Sequence, residues 1–277
     1  SDSPRGGDYD RRMTTPPPAS PTVVTAAPPY VEAARVRAHA LGLPFVEHAE
    51  PGVLALRLDE AGWALVDPAP GAPGAVRADL LGGGMGERLR VGGRGEGRLA
   101  SALGLKRHPA PLVLDATAGL GRESAVAAAL GCRVIACERS SIVATLLRDA
   151  LDRATAEPGL AEVIGRIDLR VADAREVLRA LDDAQRPDVV IVDPMFPERS
   201  KVARAKKEMQ LLQRLLGHDD PADTVELIEV ALATARRRVI LKRPVHAPQL
   251  AGVRPPDLEV PGRAARYDVY LVAPPRR

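Results

Sequence analysis

From residue 111 onward the chain alternates short apolar runs with longer stretches of helical spacing. The runs 112–116, 133–137, 167–171, 189–192 and 239–241 predict strands. Between them, 122–130, 141–153, 175–181, 205–216 and 224–235 place apolar residues at helical intervals. Such alternation predicts an α/β fold, a mostly parallel, doubly wound, Rossmann-like sheet covered on both faces. Residues 267–273 read as a last strand. No long helix precedes it, which leaves an antiparallel pairing open to it.

Upstream the pattern is less regular. Residues 22–80 read as a small N-terminal αβ subdomain. Val23 and Val24 suggest a short strand, and 30–41 carry Val31, Ala34, Ala38 and Leu41 on one helical face. Residues 53–58 and 63–66 read as a hairpin turned through Asp59, Glu60, Ala61 and Gly62. Trp63 is the expected core anchor of this segment, and 68–74 is a Pro/Gly linker. Residues 1–21 hold too little apolar surface to order themselves and are expected to form a disordered tail, with Met13 a candidate start. Residues 81–110 connect the subdomain to the larger domain, 111–277. Between Gly82 and Arg98 glycine and arginine dominate. A flexible linker fits that composition. So does a loop closing on a polyanion, with Arg88, Arg90, Arg94 and Arg98 on phosphates, and four arginines without bulky spacers favour it.

Composition adds limits. The chain has 277 residues, 45 % of them apolar but only 3 % aromatic, so the core must be built from Ala, Val and Leu. Net charge is +3, mildly basic, and does not by itself imply nucleic acid. The two cysteines, Cys132 and Cys137, flank one strand too widely for a disulfide and are too few for a metal site. They read as core residues of a reducing compartment. No run of about 18 apolar residues is present, and the N-terminal stretch lacks the order of a secretion signal. A cytoplasmic location is the default expectation, and the sequence is silent on oligomeric state.

The chemistry concentrates at strand ends, where open parallel sheets bind ligands. Asp115 ends the first strand, Glu138 the second, Asp173 the third and Asp193 the fourth. Any one of these is more often a helix cap, but four in succession after the Gly119–x–Gly121 turn point to a nucleotide-like cofactor. The glycines let backbone approach a ligand. Glu138 lies 19 residues past Gly119, the spacing of a ribose-binding acid in dinucleotide folds. A nicotinamide enzyme is therefore a rival, weakened because Ser124 stands where the third small residue of that fingerprint belongs. Asp193-Pro194-Met195-Phe196-Pro197 is similar to the Asp/Asn-Pro-Pro-aromatic loop of methyltransferases acting on exocyclic base amines. A base amine is a poor nucleophile. The Asp193 carboxylate and Pro194 carbonyl would hold its two N–H bonds and take up developing charge, while Phe196 stacks on an extruded base. Two basic stretches, 198–207 and Lys242-Arg243, are expected on the same rim to meet an RNA backbone.

The motifs together resemble a family. They are Asp-Ala-Thr-Ala-Gly-Leu-Gly-Arg (115–122), Cys-Glu-Arg (137–139), Val-Asp-Pro-Met-Phe-Pro (192–197), Lys-Lys-Glu-Met (206–209) and Leu-Lys-Arg-Pro (241–244). With the Gly-rich stretch 88–105 and Arg266-Tyr-Asp-Val-Tyr (266–270), they are similar to the bacterial 16S ribosomal RNA guanine-N2 methyltransferases, the RsmJ family. The resemblance runs from about Val23 to the end. It implies a class I, S-adenosylmethionine-dependent methyltransferase fold and methylation of the exocyclic amine of a guanine in small-subunit RNA. By position it implies cofactor contacts at Arg122, Glu123, Glu138, Arg139, Asp173, Ala174 and Asp193, beside Asp115, Gly119 and Gly121. The sequence departs where the family often has Asp for Glu123 and small hydroxyl residues for Asp173-Ala174. RNA contacts are expected at Arg88, Arg94, Arg98, Lys242 and Arg243. A non-catalytic RNA-binding assembly factor on the same fold remains the alternative from another class.

Overall fold

The computed structural model describes residues 22–194, 203–217 and 220–272. In chain order the elements are β1 (Thr22–Ala26), α1 (Val31–Leu41), β2 (Leu54–Asp59), β3 (Gly62–Val66), α2 (Gly83–Arg90), α3 (Gly97–Leu103), β4 (Leu112–Asp115), α4 (Arg122–Ala129), β5 (Arg133–Cys137), α5 (Ser141–Thr155), α6 (Ala161–Ile164), β6 (Ile167–Arg170), α7 (Ala174–Ala180), β7 (Val189–Val192), α8 (Ala203–Leu216), α9 (Pro221–Thr234), β8 (Arg238–Pro244), β9 (Leu258–Val260) and β10 (Ala265–Leu271).

The large sheet has the order β6-β5-β4-β7-β8-β10-β9. Its first five strands are parallel. Successive side chains on a strand point to opposite faces, and the two faces close two separate cores. Val113, Val134, Val189, Ile191 and Ile240 join one core with α4, α5 and α8 residues such as Ala125, Leu146 and Leu211. Leu114, Ile135, Val190, Val192 and Leu241 join the other with Leu178 of α7 and Ile228 of α9. All four residues of β7 are buried because helices cover both sides. Cys132 and Cys137 lie in these cores, and burial pushes their thiols up to about 11 and about 12. β10 pairs antiparallel with β8, as its missing crossover helix allowed, and also with β9. β9 is too short and exposed to carry a strand pattern.

The N-terminal hairpin forms as predicted, Trp63 opposite Leu58. Trp63 is 8 % exposed and shares one hydrophobic cluster with the large-sheet helices. β1 pairs parallel with β2, with α1 as the intervening crossover. Arg153 of α5 donates to the Ala78 carbonyl at 2.7 Å, and Arg214 of α8 reaches the Gly52 carbonyl at 2.8 Å, fastening this segment down.

The Gly/Arg stretch is not a loop. It folds into α2 and α3, because Leu89, Leu99 and Leu103 bury almost completely. Gly104 ends α3 in the left-handed conformation with its amide on Ser101. Glycine and arginine content masks this short apolar stripe. Among the described residues no helix is long and apolar enough to cross a membrane.

Candidate active site

The strand order reverses between β4 and β7, so their carboxyl ends open a crevice beside each other. Four loops converge there. The β4–α4 turn carries Thr117 and Gly119. Glu138 and Arg139 follow β5, Asp173 and Ala174 follow β6, and Asp193 and Pro194 follow β7. Val143, Leu212, Leu216 and Leu227 supply the apolar wall.

Glu138 is 8 % exposed and ties two loops. Its Oε2 accepts from the Gly119 amide at 3.0 Å and its Oε1 from the Ser140 amide at 2.7 Å. The carboxylate is thereby held at one place on the crevice wall. Gly119 has φ +54°, and only the Thr117 carbonyl lies within 4 Å of where its Cβ would stand. The space over that backbone is open to a ligand. Asp173 is both cap and lining residue. It accepts from the Arg175 amide at 2.8 Å, and the Arg175 guanidinium at 2.6 Å holds its carboxyl below the usual carboxylate range. Arg139 borders the crevice and lies 3.7 Å from Asp223.

Asp115 does not reach this surface. It is 1 % exposed, beneath the turn, accepting from Ser124 Oγ at 2.6 Å and the Thr117 amide at 3.2 Å. It positions the turn rather than touching a donor. Ser124, which spoils the dinucleotide fingerprint, is thus the hydroxyl that ties the helix start to the strand end. Burial pushes the Asp115 carboxyl up to about 7, with Glu123 and Asp193 adding to it against the Ser124 and Thr117 hydrogen bonds. An unfolded aspartate ionises near about 4. The folded chain therefore keeps a proton that the unfolded chain releases, and this group's contribution to stability is full below about pH 4 and is lost as pH rises through about 7. Asp115→Asn, which cannot ionise, should gain stability relative to the native chain across that window. Denaturant melts of the two with parallel pH slopes would refute it.

Gly121 makes room for the protein, not for a donor. Its φ is +80°, and a Cβ there would collide with Leu147. Arg122 and Glu123 do not line this crevice either; they start α4 and line a second crevice. The turn directs the first helical residues toward that second crevice, which the motif spacing does not reveal.

Lys242 lines the second crevice and reaches a carboxylate that lines the first. Its Nζ lies 2.8 Å from Asp193 Oδ2 and 2.6 Å from Glu123 Oε1. Burial opposes its charge, but Asp193 and Glu123 outweigh burial and hold the ammonium well above its ordinary range. Lys242 is therefore committed to two carboxylates, not presented to an RNA phosphate. The Asp193 amide donates to Thr117 Oγ1 at 2.7 Å, locking the β7 loop to the β4 turn. Tyr267 of β10, opposite Lys242 in register, borders the second crevice, and burial pushes its hydroxyl up to about 12. Thr117 and Tyr267 lie inside the motifs 115–122 and 266–270, but their residue types alone give neither a role: one is a small residue in a turn, the other one of several strand residues.

Arg243 is not an RNA contact. It is 5 % exposed, with its guanidinium 3.7 Å from the buried Asp268 carboxylate. Arg88 and Arg98 line the second crevice; Arg94 is exposed but off it. Phe196 and residues 198–202 of the basic stretch lie outside the described residues, as does the tail 1–21.

A family model described as "Putative SAM-dependent methyltransferase" matches residues 39–272. The chain is 45 % identical over 241 residues to the ribosomal RNA small subunit methyltransferase J of Thioalkalivibrio sulfidiphilus, covering 87 % of this chain and 93 % of that one. It is 41 % identical to the protein of the same name from Pseudomonas paraeruginosa, covering 87 % and 90 %. The crystal structure of a SAM-dependent methyltransferase from Neisseria gonorrhoeae superposes with a TM-score of 0.70 at 32 % identity, covering 90 % of this chain and 95 % of that chain. These matches set aside both the nicotinamide enzyme and the non-catalytic factor. With the carboxylates that follow β5, β6 and β7 gathered around one crevice, the chain belongs to the ribosomal RNA small subunit methyltransferase J family and is an S-adenosylmethionine-dependent methyltransferase.

Proposed function

We propose that the chain transfers a methyl group from S-adenosylmethionine to the exocyclic N2 amine of a guanine in small-subunit ribosomal RNA, in the cytoplasm. The observation that carries this reading is the place of Asp193. It lines the first crevice, the one we assign to the donor, and its partner Lys242, 2.8 Å away, lines a second crevice rich in arginine.

The donor crevice fits the cofactor. Glu138 offers a fixed carboxylate to the ribose hydroxyls, Asp173 an acceptor to the adenine amine, and the apolar wall a surface for the ring. Bound S-adenosylmethionine supplies a methyl group already activated on a sulfonium. The protein's task is to aim the amine. The Asp193 carboxylate and Pro194 carbonyl would accept its two N–H bonds, turning the nitrogen lone pair toward the methyl carbon. Transfer would form the N–C bond as the donor's C–S bond broke, and the Asp193 carboxylate would stabilise the positive charge developing on nitrogen. The amine proton then leaves to solvent, restoring a neutral methylated base.

The test uses labelled S-adenosylmethionine and small ribosomal subunits from cells lacking the corresponding enzyme, with digestion of the RNA afterwards. Label in N2-methylguanosine is the expected outcome. Label in another nucleoside would overturn the target atom, and donor binding without label would overturn the substrate.

A further inference from the structure

We infer that the second crevice seats the target nucleotide, with Arg98, Arg122 and Arg263 holding the phosphates beside it. The inference rests on the RNA-methyltransferase reading above and adds a site to it.

The crevice has a volume of about 720 Å³ and is lined by six cationic and three anionic side chains. Most of these charges are already matched. Arg77 is held by Asp59 at 2.6 Å. Arg88 pairs with Glu96 at 3.1 Å, and Lys242 with Glu123 at 2.6 Å. Asp79 is occupied by the amides of Leu81 and Gly82. Three guanidiniums are left without an acidic partner among the described residues: Arg98, Arg122 and Arg263. All three are exposed. They come from three separate elements, the first turn of α3, the start of α4 and the turn between β9 and β10. Converging unmatched arginines from distinct elements are what a bent polyanion needs, since each guanidinium can fork onto one phosphate.

The placement is built. The Arg98 guanidinium lies where a Cβ on Gly262 would stand, so that glycine lets α3 lock onto the β9–β10 turn. Gly83 and Gly84 have nothing within 4 Å of their Cβ positions, leaving the opposite lip open. Beside the exposed arginines the crevice has an apolar lining of Met85, Leu99, Leu120 and Val126, and Tyr267 and the Lys242–Glu123 pair line it too. Asp193 stands just beyond that pair. A base extruded from an RNA strand would therefore travel from arginine-bound phosphates, past an apolar throat, to the carboxylate that meets the donor. A free mononucleotide offers phosphate on one side of the base only and would leave part of this rim unused.

The experiment compares Arg122→Gln, Arg263→Gln and the double variant with the native chain, and uses Arg133→Gln, exposed at the far end of β5, as a control. Small ribosomal subunits lacking the modification serve as substrate, and KM, kcat and donor affinity are measured over a salt series. KM should rise, with kcat and donor affinity held. The slope of log kcat/KM against log salt should shrink by roughly 0.7 to 0.9 for each arginine removed. Arg133→Gln should leave all of them unchanged. Active variants with native KM and slope would overturn the inference alone, and a raised KM with an unchanged slope would overturn the phosphate role. A native chain that binds donor yet methylates no subunit would overturn the functional reading and this inference with it.

Discussion

Asp193→Ala is expected to lower single-turnover methyl transfer by roughly 10² to 10³-fold, the range seen when one preorganised group facing developing charge is removed. The fold should survive. Asp193 follows β7 rather than forming part of it, and its loop is also pinned by its own amide on Thr117. Its loss does not orphan Lys242, which keeps Glu123 at 2.6 Å. Asp193→Asn retains an acceptor oxygen but no charge, so it should fall between the native chain and the alanine variant. Both steps are read by mixing excess enzyme, labelled donor and small subunits, with a thermal melt to show that the domain is intact. Alanine at native speed would remove Asp193 from the mechanism and leave Pro194 as the remaining acceptor.

The sheet and the gathering of Glu138, Asp173 and Asp193 on one crevice were legible because both follow from local pattern. Runs such as Val189–Val192 announce a strand buried on two faces, and an acid after each of four strands announces a crevice when the strands are parallel. What stayed hidden depends on pairings across long stretches of sequence. Lys242 meets residues 119 and 49 positions away, so its commitment to Glu123 and Asp193 cannot be read from its neighbours. Asp115 and Ser124 lie only nine residues apart, yet their bond depends on how the turn rotates α4. The burial of Arg243 follows from strand geometry. Lys242 and Arg243 are consecutive in β8 and must face opposite sides of the sheet. If one reaches the site, the other points into the far face, where Asp268 is buried to receive it.

That geometry makes Lys242→Met the second large effect. The ammonium holds the Asp193 and Glu123 carboxylates together, and so fixes the Asp193 side chain against the start of α4. Misplacement of about 1 Å in an aligned site costs on the order of 10² in rate, and kcat should fall by about that much, with donor affinity and melting temperature little changed. A role in packing alone would give the same loss at every pH. The charge arrangement predicts otherwise. Asp193 and Glu123 face Lys242, Asp115 lies beneath them, and Tyr267 stands alongside. Removing the only ammonium among them leaves like charges adjacent, which favours protonation of one carboxylate. Activity then needs a higher pH to regenerate the acceptor. The acid limb of kcat should therefore move upward in Lys242→Met, and the deficit should be larger at pH 6 than at pH 9. In the native chain the lysine itself stays charged throughout that range, because its two carboxylates hold it well above its ordinary value. Lys242→Arg keeps the charge but not the compact ammonium, so it should retain the native acid limb while still losing turnover. A uniform loss in Lys242→Met with an unmoved limb would reduce Lys242 to a packing residue.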